Sequence, residues 1–213
     1  MSNKKGKKAD KNKIDKRDLT SIAYSIITIG DSAAGKTSLI NRYLNDTFSE
    51  LSLSTLGFER YIKYLKINDL DYKIEILDTT GQERYASLGT QYFRNCDGAI
   101  LVYDVTDIES FKNIENWLEK LTENNGDSVP YVIFENKIDL PKEMWKVSRE
   151  DVAKLGEKLQ RSILSVSAKS GENVNDSFMN LIKIILEKNK AFEAKARIKL
   201  NEKLNKKSSG GFC

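Results

Sequence analysis

Residues 24–37 read YSIITIGDSAAGKT. Tyr24 to Ile29 is a compact apolar, β-rich run that stops at Gly30, and Leu39 to Leu44 resumes with helical spacing. Between them, Gly30 to Thr37 fit G-x-x-x-x-G-K-[ST]. Placed after a strand and before a helix, this pattern wraps a phosphate chain. The backbone N–H groups from Asp31, Ser32, Ala33, Ala34 and Gly35 into Lys36, Thr37 and Ser38 face the anion, where the helix N-terminus favours negative charge. Lys36 reaches the β- and γ-phosphates, and the Thr37 hydroxyl ligates Mg²⁺. The competing account is an ordinary glycine turn before a helix.

Outward from this point, strand and helix alternate. Arg60 to Ile67 and Tyr72 to Leu77 read as a hairpin about Asn68-Asp69. Ala99 to Tyr103 and Tyr131 to Phe134 are apolar throughout, as parallel strands covered on both faces are. Ile163 to Val166 is a short last strand. Helical spacing predicts helices over about 84–94, 109–123, 149–160 and 174–190, the last running on toward residue 205. Ser148 followed by Arg149-Glu150-Asp151 is a helix start with an acidic first turn. The order implies a mostly parallel α/β sheet whose working loops lie at the carboxyl ends of the strands.

Three more loops at such ends carry chemistry. The third strand stops on Asp78 in LDTTGQERY, residues 77–85. A carboxylate there completes a Mg²⁺ site through water, Gly81 lets its N–H approach a terminal phosphate, and Gln82 orients an attacking water. Alone, D-x-x-G is also a common surface turn. After the fifth strand comes Asn136-Lys137-Ile138-Asp139. The Asp139 carboxylate accepts two hydrogen bonds from the N1–H and N2 amine of guanine, whereas adenine would leave it unpaired, and the Lys137 stem lies along the base plane. After the sixth strand, Ser167-Ala168-Lys169 offers the Ala168 N–H to the guanine O6. Singly these signals are weak; four in order, each after a strand, converge on a guanine-nucleotide site.

Composition sets the outer limits. The 213 residues suit one domain plus tails, and 39% hydrophobic content supplies a core. Histidine is absent, which excludes His triads and His-ligated zinc. Two distant cysteines, Cys96 and Cys213, form no disulfide framework and point to a reducing compartment. There is no apolar leader and no run long enough to span a membrane, and Ser2 in place of glycine excludes N-terminal myristoylation. The formal charge of +4 conceals a segregation. Residues 1–20 and 187–213 each carry eight Lys/Arg against three acidic residues, leaving 19 basic and 25 acidic residues in the acidic middle. Basic ends on an acidic body suit an anionic surface; solvated tails are the alternative. The tails lack interleaved aromatics apart from Phe192 and Phe212, which argues against nucleic acid. Residues 1–20 read as a disordered tail, 21–190 as the folded domain, and 191–213 as a partly helical basic tail.

GDSAAGKT, DTTGQER, LVYDVTDIESF, ENKIDL and SAK together resemble a small GTPase of the Ras superfamily, Rab branch, over about residues 22–190. The resemblance implies a P-loop small G-protein fold: six mostly parallel strands flanked by five helices. It implies GTP/GDP and Mg²⁺ binding, slow GTP hydrolysis raised by a GAP, and a switch that regulates vesicle traffic. By the same resemblance Thr55 ligates Mg²⁺ in the GTP form, Phe48 covers the guanine edge, Gln82 positions water, and Lys36 and Gly81 serve the transferred phosphate. Implied partners are a GEF, a GAP, a GDI or escort protein and effectors, acting on a monomer at the cytosolic face of endomembranes.

The sequence departs from that pattern in places. Thr80 stands where the family nearly always has Ala, and Ala33 where many Rabs have Gly. The three effector-facing aromatics align with Arg60, Leu77 and Tyr92, while the switch aromatic moves to Phe58. The chain ends SSGGFC, with a lone Cys213 in place of the usual pair. Cys213 can take one prenyl chain, a marginal anchor that upstream basic residues reinforce; an unmodified end is the alternative. Two other readings stand beside the switch: a hydrolysis-impaired scaffold, which Thr80 and Ala33 favour, and a P-loop kinase or ATPase, which NKID and SAK disfavour. Cys96 reads as a small core residue, and Trp117 and Trp145 as helix packing.

Overall fold

The computed structural model describes residues 21–50, 58–79, 93–94, 96–126 and 128–190. Strand β1 (Ile22–Ile29) leads through the glycine-bearing loop into α1 (Lys36–Asn45). Strands β2 (Phe58–Ile67) and β3 (Leu70–Thr79) pair antiparallel in register from Phe58↔Thr79 to Ile67↔Leu70. Their turn, Asn68-Asp69, holds φ of 48° and 63°, both left-handed. A two-residue turn of that shape follows the right-handed twist of its strands, and Asn and Asp tolerate it best after glycine. The hairpin expected around these residues is therefore present, with each strand longer than its apolar core.

Strand β4 (Gly98–Asp104) is followed by α2 (Ile108–Lys112) and α3 (Ile114–Asn125), then β5 (Tyr131–Asn136), a 3₁₀ turn at Lys142–Met144, α4 (Arg149–Leu159), β6 (Ile163–Ser165) and α5 (Val174–Lys188). The six strands lie in the order β2-β3-β1-β4-β5-β6, and every pair except β2–β3 is parallel. The helix expected over 109–123 is two helices, broken at Asn113. Of the segment expected as a helix over 84–94, only Phe93 and Arg94 are described, and the extension beyond residue 190 lies outside the described residues. So do both tails, Thr55, Thr80, Gly81, Gln82, Tyr92 and Cys213.

Alternation along the central strands sends side chains to two faces. Tyr24 and Ile26 of β1 join Ile100 and Val102 of β4 beneath α1 and α5, whereas Ile27, Ile29, Ala99, Leu101 and Tyr103 meet Trp117, Leu121 and Leu155 of α3 and α4. The first face is pinned by aromatics: Tyr43 of α1 stacks on Phe178 of α5 at 4.2 Å, and Phe134 meets Phe178 edge-on at 5.5 Å. Burial on both faces makes β4 wholly buried, which is why its sequence shows no period of two. This sheet holds the carboxyl ends of β1, β4, β5 and β6 side by side.

Candidate functional site

The loop after β1 turns on two glycines. Gly30, at φ 142°, passes so close to β4 that a Cβ would lie 2.2 Å from the Val102 carbonyl oxygen. Gly35, at φ 95°, leaves room for Asn136, whose Nδ2 would lie 2.3 Å from a Cβ there. Ala33 also sits in left-handed space at φ 62°, although it carries a Cβ; that conformation disfavours any L-residue but glycine. The first turn of α1 contains Lys36, Thr37 and Ser38. Lys36 is 5% exposed, and its Nζ donates to the carbonyls of Gly30 at 2.9 Å and Asp31 at 2.8 Å. A buried ammonium ringed by loop carbonyls beside a helix N-terminus is a fixed positive centre suited to phosphate.

Asp78 is the next-to-last residue of β3 and is wholly buried. Thr37 Oγ1 donates to its Oδ2 at 2.5 Å, joining the first turn of α1 to the end of β3. One hydroxyl and one carboxylate are hard oxygen donors of the kind Mg²⁺ takes, usually with phosphate and water completing the shell. The described residues contain no group of three or more His, Cys, Asp or Glu arranged to hold a metal by themselves. The donors present therefore fit an ion shared with a phosphate ligand.

On the base side, Asn136 ends β5 and is 1% exposed. Its Nδ2 donates to the Ala34 carbonyl at 2.8 Å and its Oδ1 accepts from the Ala168 N–H at 3.2 Å. One side chain thus ties the phosphate loop to the loop after β6. Lys137, at φ 68°, directs its Nζ to Asp104 Oδ2 at 2.5 Å. Asp104 Oδ1 accepts from the Thr106 N–H and hydroxyl at 2.8 and 2.7 Å, which holds that carboxylate at the end of β4. Asp139 is exposed, and its Oδ1 accepts from Ser167 Oγ at 2.6 Å, which fixes the rotation of the carboxylate. Lys169 pairs with Glu50 at 2.9 Å, and that hydrogen bond raises the Lys169 pKa. Phe48 is half-buried against the cluster under α1.

Behind the base loop lies a buried polar network. Glu135, wholly buried, accepts from the Tyr103 hydroxyl at 2.6 Å, Arg149 Nη2 at 2.6 Å and Ser165 Oγ at 3.2 Å. Burial first, and the Glu135 bond second, push the Tyr103 hydroxyl far above its ordinary range. The same carboxylate raises the Arg149 pKa.

The sequence reading placed Lys36, Thr37, Asp78, Asn136, Lys137, Asp139, Ser167 and Ala168, and these converge at one end of the sheet. It missed the supporting carboxylates. Asp104 was not singled out. Asp31 entered only for its backbone, yet its side chain accepts from Trp117 Nε1 and from Asn113 Nδ2, both at 2.7 Å. Trp117, read as packing alone, both packs and donates. The partners lie 82 and 86 residues apart in the chain, and no local pattern signals them.

Residues 25–187 match the family model described as Ras family. The chain belongs to the Ras family. It is a Rab-like small GTPase, an enzyme that converts GTP and water to GDP and phosphate. Rab-13 of Rattus norvegicus is 38% identical over 165 residues, spanning 78% of this chain and 81% of that protein. Rab-8B of Homo sapiens is 35% identical over 188 residues, 88% of this chain and 85% of that protein. SEC4 of Candida albicans is 36% identical over 163 residues, covering 76% and 77% respectively. The architecture expected from the motifs, a six-stranded mostly parallel sheet with flanking helices, agrees with that membership. Among the described residues the GTPase has no helix long and apolar enough to cross a membrane.

Proposed function

We propose that this GTPase is a guanine-nucleotide switch acting in vesicle traffic at cytosolic membrane faces. The observation that carries the nucleotide assignment is the Asn136 bridge, which holds the phosphate loop at Ala34 and the base loop at Ala168 in one unit. Asp139 reads the N1–H and N2 amine of guanine, and Ser167 keeps its carboxylate turned for that task. Ala168 donates its N–H to O6. Lys137 lies along the base, held by Asp104. Phe48 covers the guanine edge.

On the phosphate side, the N–H groups of Asp31 to Ser38 bind the anion, and Lys36 stabilises charge that moves toward the β–γ bridge. Thr37, Asp78 and, in the GTP form, Thr55 would hold Mg²⁺, which would neutralise phosphate charge. Gly81 senses the γ-phosphate, and Gln82 orients the attacking water. Loss of that phosphate frees the segments carrying Thr55 and Gly81, and partner proteins read the change.

Effectors, a GEF, a GAP and a GDI or escort protein are the partners such a cycle needs. Arg60 and Leu77 stand opposite each other on the β2–β3 hairpin, and Arg60 pairs with Glu75 at 3.0 Å. An Arg60–Glu75 ion pair beside Leu77, in place of two aromatics, suits effectors with a polar contact at that point. The basic tail and a prenyl chain on Cys213 bring the protein to anionic lipid.

Single-turnover phosphate release from the GTP-loaded protein, wild type beside Thr80→Ala, tests the cycle. Slow release by both variants supports a timed switch. A silent wild type rescued by Thr80→Ala favours the second reading, a scaffold that lingers in its GTP form, which the strained Ala33 also favours.

A further inference from the structure

Arg42 lies in the last turn of α1, six residues beyond Lys36, and its side chain is 15% exposed. Its guanidinium donates Nε to the Ala168 carbonyl at 2.9 Å and Nη2 to the Lys169 carbonyl at 2.7 Å. Nη1 donates to the Asp46 carbonyl at 3.0 Å and to Asp46 Oδ1 at 2.9 Å. Asp46 is the left-handed residue that ends α1, and its own N–H bonds back to the Arg42 carbonyl. The fork is therefore anchored on its own helix on one side and grips two successive carbonyls of the base loop on the other. Gly171 lies beside it at φ 85°, where glycine is favoured by the backbone; a Cβ there would only touch Arg42 Cδ, at 3.4 Å.

The consequence falls on Ala168. Its N–H meets Asn136 Oδ1 at 3.2 Å, long enough to be shared with a second acceptor, and its carbonyl is fixed by Arg42. Remove Arg42 and the two peptides that follow Ala168 each lose a carbonyl restraint, so the loop that presents the Ala168 N–H is less firmly held on its C-terminal side. Asp139 is held independently by Ser167. We infer that Arg42 is a positioning residue for base selection: it fixes the Ala168 N–H for the 6-position of the purine, and it couples the helix that carries Lys36 and Thr37 to that loop. This rests on the guanine-nucleotide reading given above. Lysine is a poor substitute, because one ammonium cannot span two carbonyls in the plane that a guanidinium does.

The test uses the full chain, wild type beside Arg42→Met and Arg42→Lys. Displacement of a fluorescent GDP is measured with three competitors: GDP, 6-thioguanosine diphosphate and inosine diphosphate. The sulfur analogue weakens the acceptor that Ala168 meets, and inosine deletes the amine that Asp139 meets. Loss of one oriented hydrogen bond is expected to weaken GDP by about tenfold in both variants. The preference for GDP over the sulfur analogue should shrink, while the preference over inosine diphosphate stays. Equal weakening toward all three competitors, or no weakening, overturns the inference and leaves the nucleotide reading intact. A wild type that binds no guanine nucleotide sinks the nucleotide reading itself. Should Arg42→Met not fold, as judged by circular dichroism, Arg42→Lys decides.

Discussion

Ala33 pairs a Cβ with φ of 62° inside the phosphate loop. Left-handed space costs an L-residue about 1–2 kcal/mol, whereas glycine loses about 0.5–1 kcal/mol more chain entropy on folding. These oppose each other, so Ala33→Gly should change urea-unfolding stability by no more than about 1 kcal/mol, toward stabilisation. A loss of several kcal/mol would show that the Cβ makes a contact that outweighs its strain. Asn136 is the opposite case, because both ends of its amide are committed. Asn136→Ala strands the buried Ala34 carbonyl and the Ala168 N–H, at about 1–3 kcal/mol for each group left unsatisfied. Fluorescent GDP should leave that variant at least about tenfold faster than wild type. An unchanged release rate removes the bridge from the account. At this scale the sequence was most legible where a residue type has few alternatives: Lys36, Thr37, Asp78, Asn136 and Asp139 were singled out from pattern alone, and the fold brings them to one end of the sheet. Asp104 and the Asp31 side chain were not, since a carboxylate that supports a site looks like any other until its partner is known.

The break between α2 and α3 shows where local pattern stops at the scale of elements. Apolar spacing runs unbroken through 109–123 and predicts one helix. The chain instead caps α2 with Asp107, whose carboxylate accepts from the Glu109 N–H, and restarts after Asn113. At the restart, the Asn113 amide and the Trp117 indole both reach Asp31. A tertiary bond to the phosphate loop thus coincides with the break, and such a bond leaves no period in the sequence. The hairpin, by contrast, was legible because the turn chemistry of Asn68-Asp69 is local. Trp117→Phe keeps most of the buried ring and deletes its N–H. A hydrogen bond to a charged acceptor is worth about 1.5–3 kcal/mol, and the partial exposure of Asp31 reduces that, so a loss of about 1–2 kcal/mol in urea unfolding is expected. GDP release should quicken as well, because the tether ends on the loop that holds the phosphates. If stability falls and GDP release does not change, the bond serves packing alone.

Over the whole molecule, the direction of alkaline unfolding follows from which protons the fold retains. Burial pushes the Cys96 thiol from 9.0 up to about 11, and the Tyr43 hydroxyl from 10.0 up to about 12. Burial also raises Tyr103 and Tyr61, each helped by a carboxylate neighbour, Glu135 and Glu59 respectively. In the unfolded chain these groups release protons near their ordinary values, so above pH 9.0 the unfolded state binds fewer protons than the fold, and stability falls as pH rises. Below that value their contribution is complete. Lys63 opposes the trend: burial lowers its pKa below 10.5, so in that interval the unfolded state binds the extra proton and stability rises with pH. Three tyrosines, a thiol and Lys169, whose pKa Glu50 raises, act against Lys63, and the melting temperature should decline progressively from about pH 9 to about pH 11. Tyr43→Phe removes one of the hydroxyls and keeps the 4.2 Å stack on Phe178. Its melting curve against pH should therefore be shallower than that of wild type, at little cost near neutrality. A wild-type melting temperature that stays level across this range would mean that these hydroxyls and the thiol reach solvent in the folded protein, contrary to the packing of both sheet faces on which the placement of the nucleotide loops depends.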